Sequence, residues 1–182
     1  MSKGKLIVIS GASGVGKGTV LGLMMKARPD LSCSVSATTR APRPGEVDGV
    51  QYYFITKERF EEMISQGQFL EYDAHAANYY GTPRGQAEEK MAKGHVLRDI
   101  EPKGAKQVKD AAADAVLIFI MPPSMEELEK RLRGRGDTPE DQIAMRMERA
   151  IWEMEQRNWY DYVVVNDDAA RCAEEILKII AD

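Results

Sequence analysis

The chain has 182 residues, of which 43% are hydrophobic, and this is enough for one core domain with small mobile insertions. Its formal net charge of −4 argues against general nucleic-acid binding and against attachment to an acidic membrane surface, so we expect the partner to be a small anion met by clustered arginines. The two cysteines, Cys33 and Cys172, lie far apart and form no C-x-x-C pair, which argues against a disulfide framework or zinc site and fits a reducing compartment.

The first residues, MSKGK, lead directly into the apolar run from Leu6 to Ile9, and we therefore expect no signal peptide. No apolar run approaches the roughly 20 residues that a membrane-spanning helix needs. Together with the expected reduced cysteines, this predicts a cytoplasmic protein that binds no membrane.

A glycine-rich segment, GASGVGKGT, follows this strand-like run and opens a helical stretch from Thr19 to Ala27. Strand, glycine-rich turn and helix form the context in which the pattern G-x-x-x-x-G-K becomes a phosphate-binding loop. Backbone N–H groups and the helix N-terminus attract an anion, and Lys17 adds a charge that can reach the outer phosphates. The segment predicts a bound nucleoside triphosphate, with a tight connection lacking a ligand as the alternative. The predicted phosphate contacts are Gly11, Ala12, Ser13, Gly14, Val15, Gly16, Lys17, Gly18 and Thr19.

One position of this loop departs from the usual pattern. Gly18 stands where Ser or Thr commonly follows the lysine. Thr19 is therefore the candidate hydroxyl ligand for a magnesium ion bound with the triphosphate.

The segment after the first helix contains short elements and many turn residues. Prolines in the loop from Thr38 to Glu46, which carries Arg40 and Arg43, exclude a helix or a central strand there. The other predicted elements are a strand at 32–37, a strand at 51–55, a helix that packs Phe60, Met63 and Ile64 and ends at Gly67, a strand at 69–72, a turn at 78–83 and a helix at 84–93. Residues 35–93 are therefore predicted to form an inserted subdomain.

Strands and helices alternate through the rest of the chain, which predicts an α/β fold with a doubly wound parallel sheet. The apolar run from Ala115 to Met121 is typical of a parallel strand buried on both faces. Ser124 to Glu127 form a capping box, and Thr138 with Pro139 opens a further helix. The predicted elements are a strand at 95–100, a helix at 104–112, a strand at 115–121, a helix from 124 that ends at the Gly134–Asp137 break, a helix from 138 with Ile143, Met147, Ile151 and Met154 on one side, a strand at 162–165 and a final helix that packs Cys172, Ile176, Ile179 and Ile180.

Arginines cluster at two places. Arg40 and Arg43 lie on the proline-rich loop, and a second set surrounds the break at Gly134. Phosphoryl transfer spreads negative charge over oxygens, so it requires positive charge on both sides of the reacting phosphate. A solvated basic face is the alternative, but the glycines beside Arg135 suit a mobile lid, and an acidic chain that clusters arginines calls for an anionic partner. The second set is Arg131, Arg133, Arg135, Arg146 and Arg149.

Four polar side chains at strand ends or in turns are candidates for reading a base: Ser36, Glu71, Thr82 and Asp99. A carboxylate can accept from both N1–H and the 2-amino group of guanine, and the hydroxyls can serve O6. Adenine would leave the carboxylate unpaired, a mismatch that such sites reject by about 10⁴-fold. For a lone carboxylate, simple surface solvation is the alternative.

Six stretches together resemble the guanylate kinase family, in order and over essentially the whole chain. They are Gly11–Thr19, Ser34–Glu46, Phe69–Tyr72, Asn78–Thr82, Arg131–Gly136 and Val164–Asp167. The resemblance implies magnesium-dependent transfer of phosphate from ATP to GMP, giving ADP and GDP, with dGMP as a weaker acceptor. It also implies a P-loop three-layer core with a parallel sheet (about 1–34, 94–125 and 158–182), an inserted GMP-binding subdomain (about 35–93) and a mobile arginine lid (about 126–157).

Carried over residue by residue, the resemblance assigns site residues on both sides of the reaction. The GMP phosphate would be held by Arg40, Arg43, Tyr52 and Tyr80, and guanine would be read by Ser36, Glu71, Thr82 and Asp99. The ATP phosphates would be covered by Arg131, Arg135 and Arg146, with Asn166 on the adenine side. Lys17, Arg40, Arg135 and Arg146 are the expected catalytic residues. Because a nucleoside monophosphate is largely dianionic at pH 7, no general base is expected.

One stretch departs from the family pattern. Where the family more often has Asp/Glu-Ile-Asp/Glu-Val-Gln-Gly, this chain has Val96 to Gly104, with Arg98 in line with Val96 and Ile100. An unpartnered buried arginine is costly, so either the strand shifts or Arg98 finds a carboxylate. The base contact therefore stays open between Asp99 and Glu101.

Two other functions are alternatives to the phosphate transfer that the resemblance implies. A catalytically silent binding module related to guanylate kinase would tend to lose Lys17 or the arginines, and this chain keeps them. A kinase of the same fold could act on another phosphate, such as a ribose bisphosphate, but Glu71 with Ser36 and Thr82 favours guanine.

Overall fold

The computed structural model describes residues 4–134 and 139–181. The elements are β1 (Leu6–Gly11), α1 (Lys17–Ala27), β2 (Ser32–Cys33), β3 (Ser36–Thr38), β4 (Tyr52–Phe54), α2 (Lys57–Ser65), β5 (Phe69–His75), β6 (Asn78–Pro83), α3 (Arg84–Met91), β7 (Val96–Asp99), α4 (Pro102–Ala111), β8 (Val116–Met121), α5 (Met125–Gly134), α6 (Glu140–Glu155), a 3-10 turn (Gln156–Trp159), β9 (Tyr162–Val165) and α7 (Ala169–Ile179). They form two compact units: residues 4–6, 31–98 and 103–115, and residues 7–30, 99–102, 116–134 and 139–181.

The second unit is built on parallel strands. β1 pairs with β8, with Ile9 opposite Ile118, and β8 pairs with β9, with Ile120 opposite Val164. β1 is buried along its whole length, as is the middle of β8, which is the pattern of strands covered on both faces. Helix α1 contacts α7, and α5 contacts α6. The α/β fold and the buried strand predicted from the apolar run are thus confirmed.

The helices of this unit begin and pack as their local sequence directs. Ser124 Oγ accepts a hydrogen bond from the Glu127 N–H (3.1 Å), which confirms the Ser124 half of the predicted capping box. Helix α7 buries Cys172 and Ile176, and Asp168 caps its first turn. Ile151, predicted to face the core, is 47% exposed instead. The predicted cap Thr138 and the Gly136–Asp137 part of the predicted break lie outside the described residues.

The first unit contains a four-stranded sheet in the order β4-β3-β6-β5. β3 runs parallel to β4 and antiparallel to β6, and β6 runs antiparallel to β5. Helix α2 covers this sheet through Phe60, which is fully buried and stacks on the rings of Phe69 (4.3 Å between centroids) and Tyr79 (5.1 Å). These aromatic contacts form a small separate core and fix the β5–β6 hairpin.

Two predictions about the first unit are wrong. The predicted single strand at 32–37 is two strands, because β2 pairs with β7 in parallel while β3 joins the four-stranded sheet. The predicted turn at 78–83 is strand β6, and the actual turn lies at Ala76 and Ala77, whose φ angles are 48° and 65°. Asn, Gly and Pro are common turn residues, and here they mislead.

Gly81 explains why a glycine stands inside a strand. A Cβ at this position would lie 2.9 Å from the Glu71 carbonyl oxygen and 2.9 Å from Tyr72 Cβ. The glycine therefore permits the close approach of β5 to β6 rather than a turn.

Two helix starts differ slightly from the prediction, and one further finding concerns membrane-spanning helices. Helices α1 and α4 each begin two residues before the predicted start, at Lys17 and Pro102. Within residues 4–134 and 139–181, no helix combines the length and the apolar character that crossing a membrane requires.

Candidate nucleotide-binding site

The phosphate loop connects β1 to α1 in the second unit. Gly14 and Gly16 have φ angles of 87° and 92°, in the left-handed region that favours glycine. A Cβ at Gly16 would lie 2.8 Å from Asn166 Nδ2, and one at Gly14 would lie 2.6 Å from a methyl carbon of Leu132. Close packing behind the loop and its backbone conformation thus both require these glycines.

A carbonyl group of this loop is held from behind by two side chains. The Val15 carbonyl oxygen accepts hydrogen bonds from Asn166 Nδ2 (2.8 Å) and from an Arg131 guanidinium nitrogen (3.2 Å). That same nitrogen donates to the Asn166 carbonyl oxygen at 3.0 Å, and Arg131 Nε donates to Glu127. The sequence predicted phosphate or adenine contacts for Arg131 and Asn166. The structure places both against the loop backbone.

Charged pairs surround the loop. Lys17 Nζ lies 2.5 Å from Asp99 Oδ1. Glu153 is only 3% exposed, and its carboxylate accepts from the Ser13 N–H (2.9 Å) and from Arg149 Nε (3.2 Å). Arg149 also pairs with Glu101, and these side chains line one cleft together with the loop.

Sequence reasoning missed Glu153, and it placed Arg149 in the arginine cluster without a position beside the loop. Glu153 lies on the buried stripe of α6, between Ala150 and Met154, and a carboxylate at a core position was the available signal. Asp99 was assigned to the base, yet its carboxylate pairs with the loop lysine.

The remaining ATP-side candidates are placed as follows. Thr19 is exposed in the first turn of α1, with its N–H donating to the Gly16 carbonyl (3.1 Å), and a Cβ at Gly18 would meet open space. Arg146 is half-buried on α6, and Arg135 lies outside the described residues.

The first unit brings three predicted base-reading residues together on adjacent strands. Ser36 on β3, Glu71 on β5 and Thr82 on β6 are all buried, and Glu71 is opposite Thr82 in the strand register. Thr82 Oγ1 donates to Glu71 Oε1, and an Arg98 guanidinium nitrogen donates to the same oxygen at 2.8 Å. Of the two possibilities for Arg98, the structure adopts the one in which it finds a carboxylate.

Predicted phosphate-binding residues lie together on the same unit. The Arg40 guanidinium pairs with Glu46 (2.9 Å) and lies 5.4 Å from the ring centroid of Tyr52. The ring centroids of Tyr52 and Tyr80 are 6.0 Å apart, nearly edge to face. The Glu46 carboxylate raises the pKa of Arg40, and a hydrogen bond that Arg40 donates to the Tyr80 hydroxyl oxygen adds to this effect.

Glu46 organises the proline-rich loop around these groups. It accepts from the Arg43 N–H (2.7 Å) as well as from Arg40, and the two hydrogen bonds, from Arg40 first and then from Arg43, hold the pKa of Glu46 below its ordinary value. The Arg43 side chain is exposed. A positive group therefore stands beside two phenols, an arrangement suited to an anion.

A glycine-rich loop between a buried parallel strand and a helix, with a lysine at its end, defines a P-loop nucleotide-binding protein of α/β fold. The family model for guanylate kinase matches residues 3–182. The guanylate kinase of Trichormus variabilis is 52% identical over 168 residues, which are 92% of this chain and 84% of that protein. The guanylate kinase of Clostridioides difficile is 48% identical over 182 residues, or 100% and 89% of the two chains. The crystal structure of guanylate kinase from Anaplasma phagocytophilum matches with a TM-score of 0.71 and 35% identity, covering 98% of this chain and 85% of that one. The chain belongs to the guanylate kinase family.

Proposed function

We propose that this chain transfers the γ-phosphoryl group of ATP to GMP, giving ADP and GDP, and that it uses the two sites described above. Family membership over the whole chain supports the reaction, and it favours neither a silent binding module nor a ribose-phosphate kinase. The observation that carries the residue assignment is the buried Glu71 carboxylate on β5, which lies beside Thr82 on β6 in the sheet that also carries Ser36 on β3.

On the ATP side, the backbone N–H groups of the loop and the N-terminus of α1 would hold the phosphates. Lys17 would turn its charge from Asp99 to the outer phosphates. Asn166 and Arg131 act by holding the Val15 carbonyl, which keeps this oxygen turned to the back of the loop. Arg135 and Arg146 complete the proposed ATP site.

On the GMP side, Arg40, Arg43, Tyr52 and Tyr80 would bind the phosphate. Guanine's N1–H and 2-amino group would donate to Glu71, and the hydroxyls of Ser36 and Thr82 would stand near O6. We assign Asp99 to the orientation of Lys17, because the structure shows that pair.

The chemistry needs little beyond position and charge. The phosphate of GMP has a second pKa of about 6, so it is already a nucleophile at neutral pH and no side chain has to remove a proton. The cationic side chains of the two sites would stabilise the charge that spreads over the transferred group in an in-line displacement.

A magnesium ion fits the donors on the ATP side. Mg²⁺ prefers oxygen ligands and commonly uses one or two from the protein together with the substrate phosphates. The exposed Thr19 hydroxyl offers such an oxygen at the start of α1, and within the described residues no cluster of three acidic, His or Cys ligands competes for the ion. Thr19 would hold the ion, which would neutralise charge on the bound phosphates.

These assignments give each segment of the chain a proposed role. We propose residues 35–93 as the GMP-binding subdomain, 126–157 as an arginine lid, and the remainder as the core. A cytoplasmic location and weaker use of dGMP complete the proposal.

A panel of acceptors tests this function. ADP release from ATP and magnesium is measured with GMP, dGMP, AMP, CMP and UMP at equal concentrations. We expect strong release of ADP with GMP and weak release with dGMP. Release with AMP, CMP and UMP should be near background, because only guanine offers two adjacent donors to Glu71. Equal rates across the panel would overturn the assignment of Glu71 to the base.

A further inference from the structure

Arg98 reaches from β7 to the β5–β6 hairpin within the first unit. Its side chain is 13% exposed, and one terminal nitrogen donates to Glu71 Oε1 at 2.8 Å. Its Nε is buried and finds no hydrogen-bond partner among the described residues. An arginine retained only for stability would be expected to satisfy its buried donors, since a buried ion pair by itself contributes little net stability.

The two oxygens of Glu71 are used differently. Oε1 accepts from both Thr82 and Arg98, whereas for Oε2 no partner is found in the part of the chain that the structure describes. The Glu71 side chain is 7% exposed, yet Oε2 is not among the fully buried unpartnered atoms of the described residues, so this oxygen keeps some exposed surface. Glu71 therefore presents one free oxygen with two lone pairs.

The free oxygen can accept the donors of guanine. A buried carboxylate without a positive partner is costly, and a carboxylate turned away from the base would leave those donors unpaired. Arg98 supplies the positive charge from the side of Oε1 and leaves Oε2 unobstructed.

The strand that carries Glu71 is fixed independently of Arg98. The Gln107 amide of α4 exchanges two hydrogen bonds with the Tyr72 backbone, at 3.0 and 3.1 Å. Lys103 pairs with Asp73 at 2.7 Å. Removal of the Arg98 charge should therefore affect the Glu71 carboxylate more than the position of β5.

We propose that Arg98 is a positioning residue for base selection: it balances the buried charge of Glu71 and holds the carboxylate through Oε1, so that Oε2 receives the N1–H and 2-amino donors of GMP. This inference rests on the proposed role of Glu71 in reading the base. Arg98 itself does not contact the base.

The test compares Arg98→Met with Arg98→Lys by steady-state kinetics. We expect Arg98→Met to raise KM for GMP about 10- to 100-fold, the usual effect of losing a hydrogen bond to a charged group. KM for ATP should stay unchanged, and preference for GMP over IMP, which lacks the 2-amino group, should fall. Arg98→Lys keeps the charge and should restore most of the affinity for GMP. If Arg98→Met does not fold, Arg98→Gln, which can still donate to Glu71 without charge, replaces it with the same expected increase.

Lys103→Met is the matched control. It removes the exposed ion pair with Asp73, which lies on β5 two residues from Glu71. It should leave both KM values unchanged. An unchanged or lower KM for GMP in Arg98→Met would overturn the inference, as would equal impairment by Met and Lys.

A double mutant separates the inference from the function on which it rests. In a Glu71→Gln background, Arg98→Met should cause no further rise in KM for GMP, because Arg98 acts through Glu71. Additive effects would mean that Arg98 contacts the base itself and would refute the positioning role. If Glu71→Gln alone leaves KM for GMP unchanged, the proposed base site fails instead.

Discussion

The Glu153→Gln substitution tests whether the phosphate loop is held in position by α6. In the native chain one carboxylate serves two donors, the Ser13 N–H at 2.9 Å and Arg149 Nε at 3.2 Å. A glutamine amide has one acceptor oxygen and one NH₂ group, so one of the two native donors must face another donor. Either the loop is then released at Ser13, or the Arg149 Nε donor is left without an acceptor.

The size of the effect follows from the geometry. A hydrogen bond to a charged group is worth about 1.5–3 kcal/mol, and the lower end applies because Arg149 is half exposed and still pairs with Glu101. We expect the free energy of unfolding to fall by about 1.5 kcal/mol. A loop that must be ordered on binding should raise KM for ATP by about tenfold, which corresponds to 1.4 kcal/mol.

Urea unfolding measures the first quantity, and initial rates at saturating GMP measure the second. Glu129→Gln is the control, because that carboxylate lies on the surface of α5, where its ion-pair partner among the described residues is Arg133. It should change neither quantity by a measurable amount. If KM for ATP falls in Glu153→Gln, the carboxylate opposes the triphosphate by repulsion and does not position the loop.

Two further predictions concern the first unit. Gly81→Ala should lower the free energy of unfolding by about 2–3 kcal/mol, because the new Cβ would lie 2.9 Å from the Glu71 carbonyl oxygen. Urea unfolding measures this loss. The control Gly85→Ala should show no such loss, because a Cβ there meets open space. Equal midpoints for the two variants would contradict this. Because the folded-state pKa of Glu46 lies below its ordinary value, its contribution to stability is present above that value and is lost as pH falls through the folded pKa. The melting temperature of Glu46→Gln should therefore fall less than that of the native chain between about pH 5 and pH 3, and parallel curves would count against the pairing with Arg40.

The sequence predicted those parts of the site that depend on neighbours along the chain. The strand, the glycine turn and the helix around Lys17 are encoded within a few residues, since apolar runs and glycine spacing act locally. The buried strand at 115–121 was predicted for the same reason. The strand at 78–83 was not predicted, because its Gly81 permits close contact with the neighbouring strand, whereas glycine is also a common turn residue.

The supports of the phosphate loop could not be predicted in this way. Glu153 meets Ser13 across 140 residues of sequence, and Asn166 meets Val15 across 151. No periodicity links such positions, and their pairing depends on the order in which parallel strands and helices assemble. Arg98 was recognised as costly if unpartnered, but the choice of Glu71 as its partner required the packing of β7 beside the hairpin.

Two cationic side chains proposed for substrate binding already have a carboxylate partner in their own unit. Lys17 pairs with Asp99, and Arg40 pairs with Glu46. In an acidic chain these carboxylates hold each cation in place before substrate arrives. A bound phosphate must compete with a carboxylate, so its affinity is a difference between two charged interactions rather than the full value of one. Arg98 differs from these two, because its carboxylate partner is itself the proposed substrate contact.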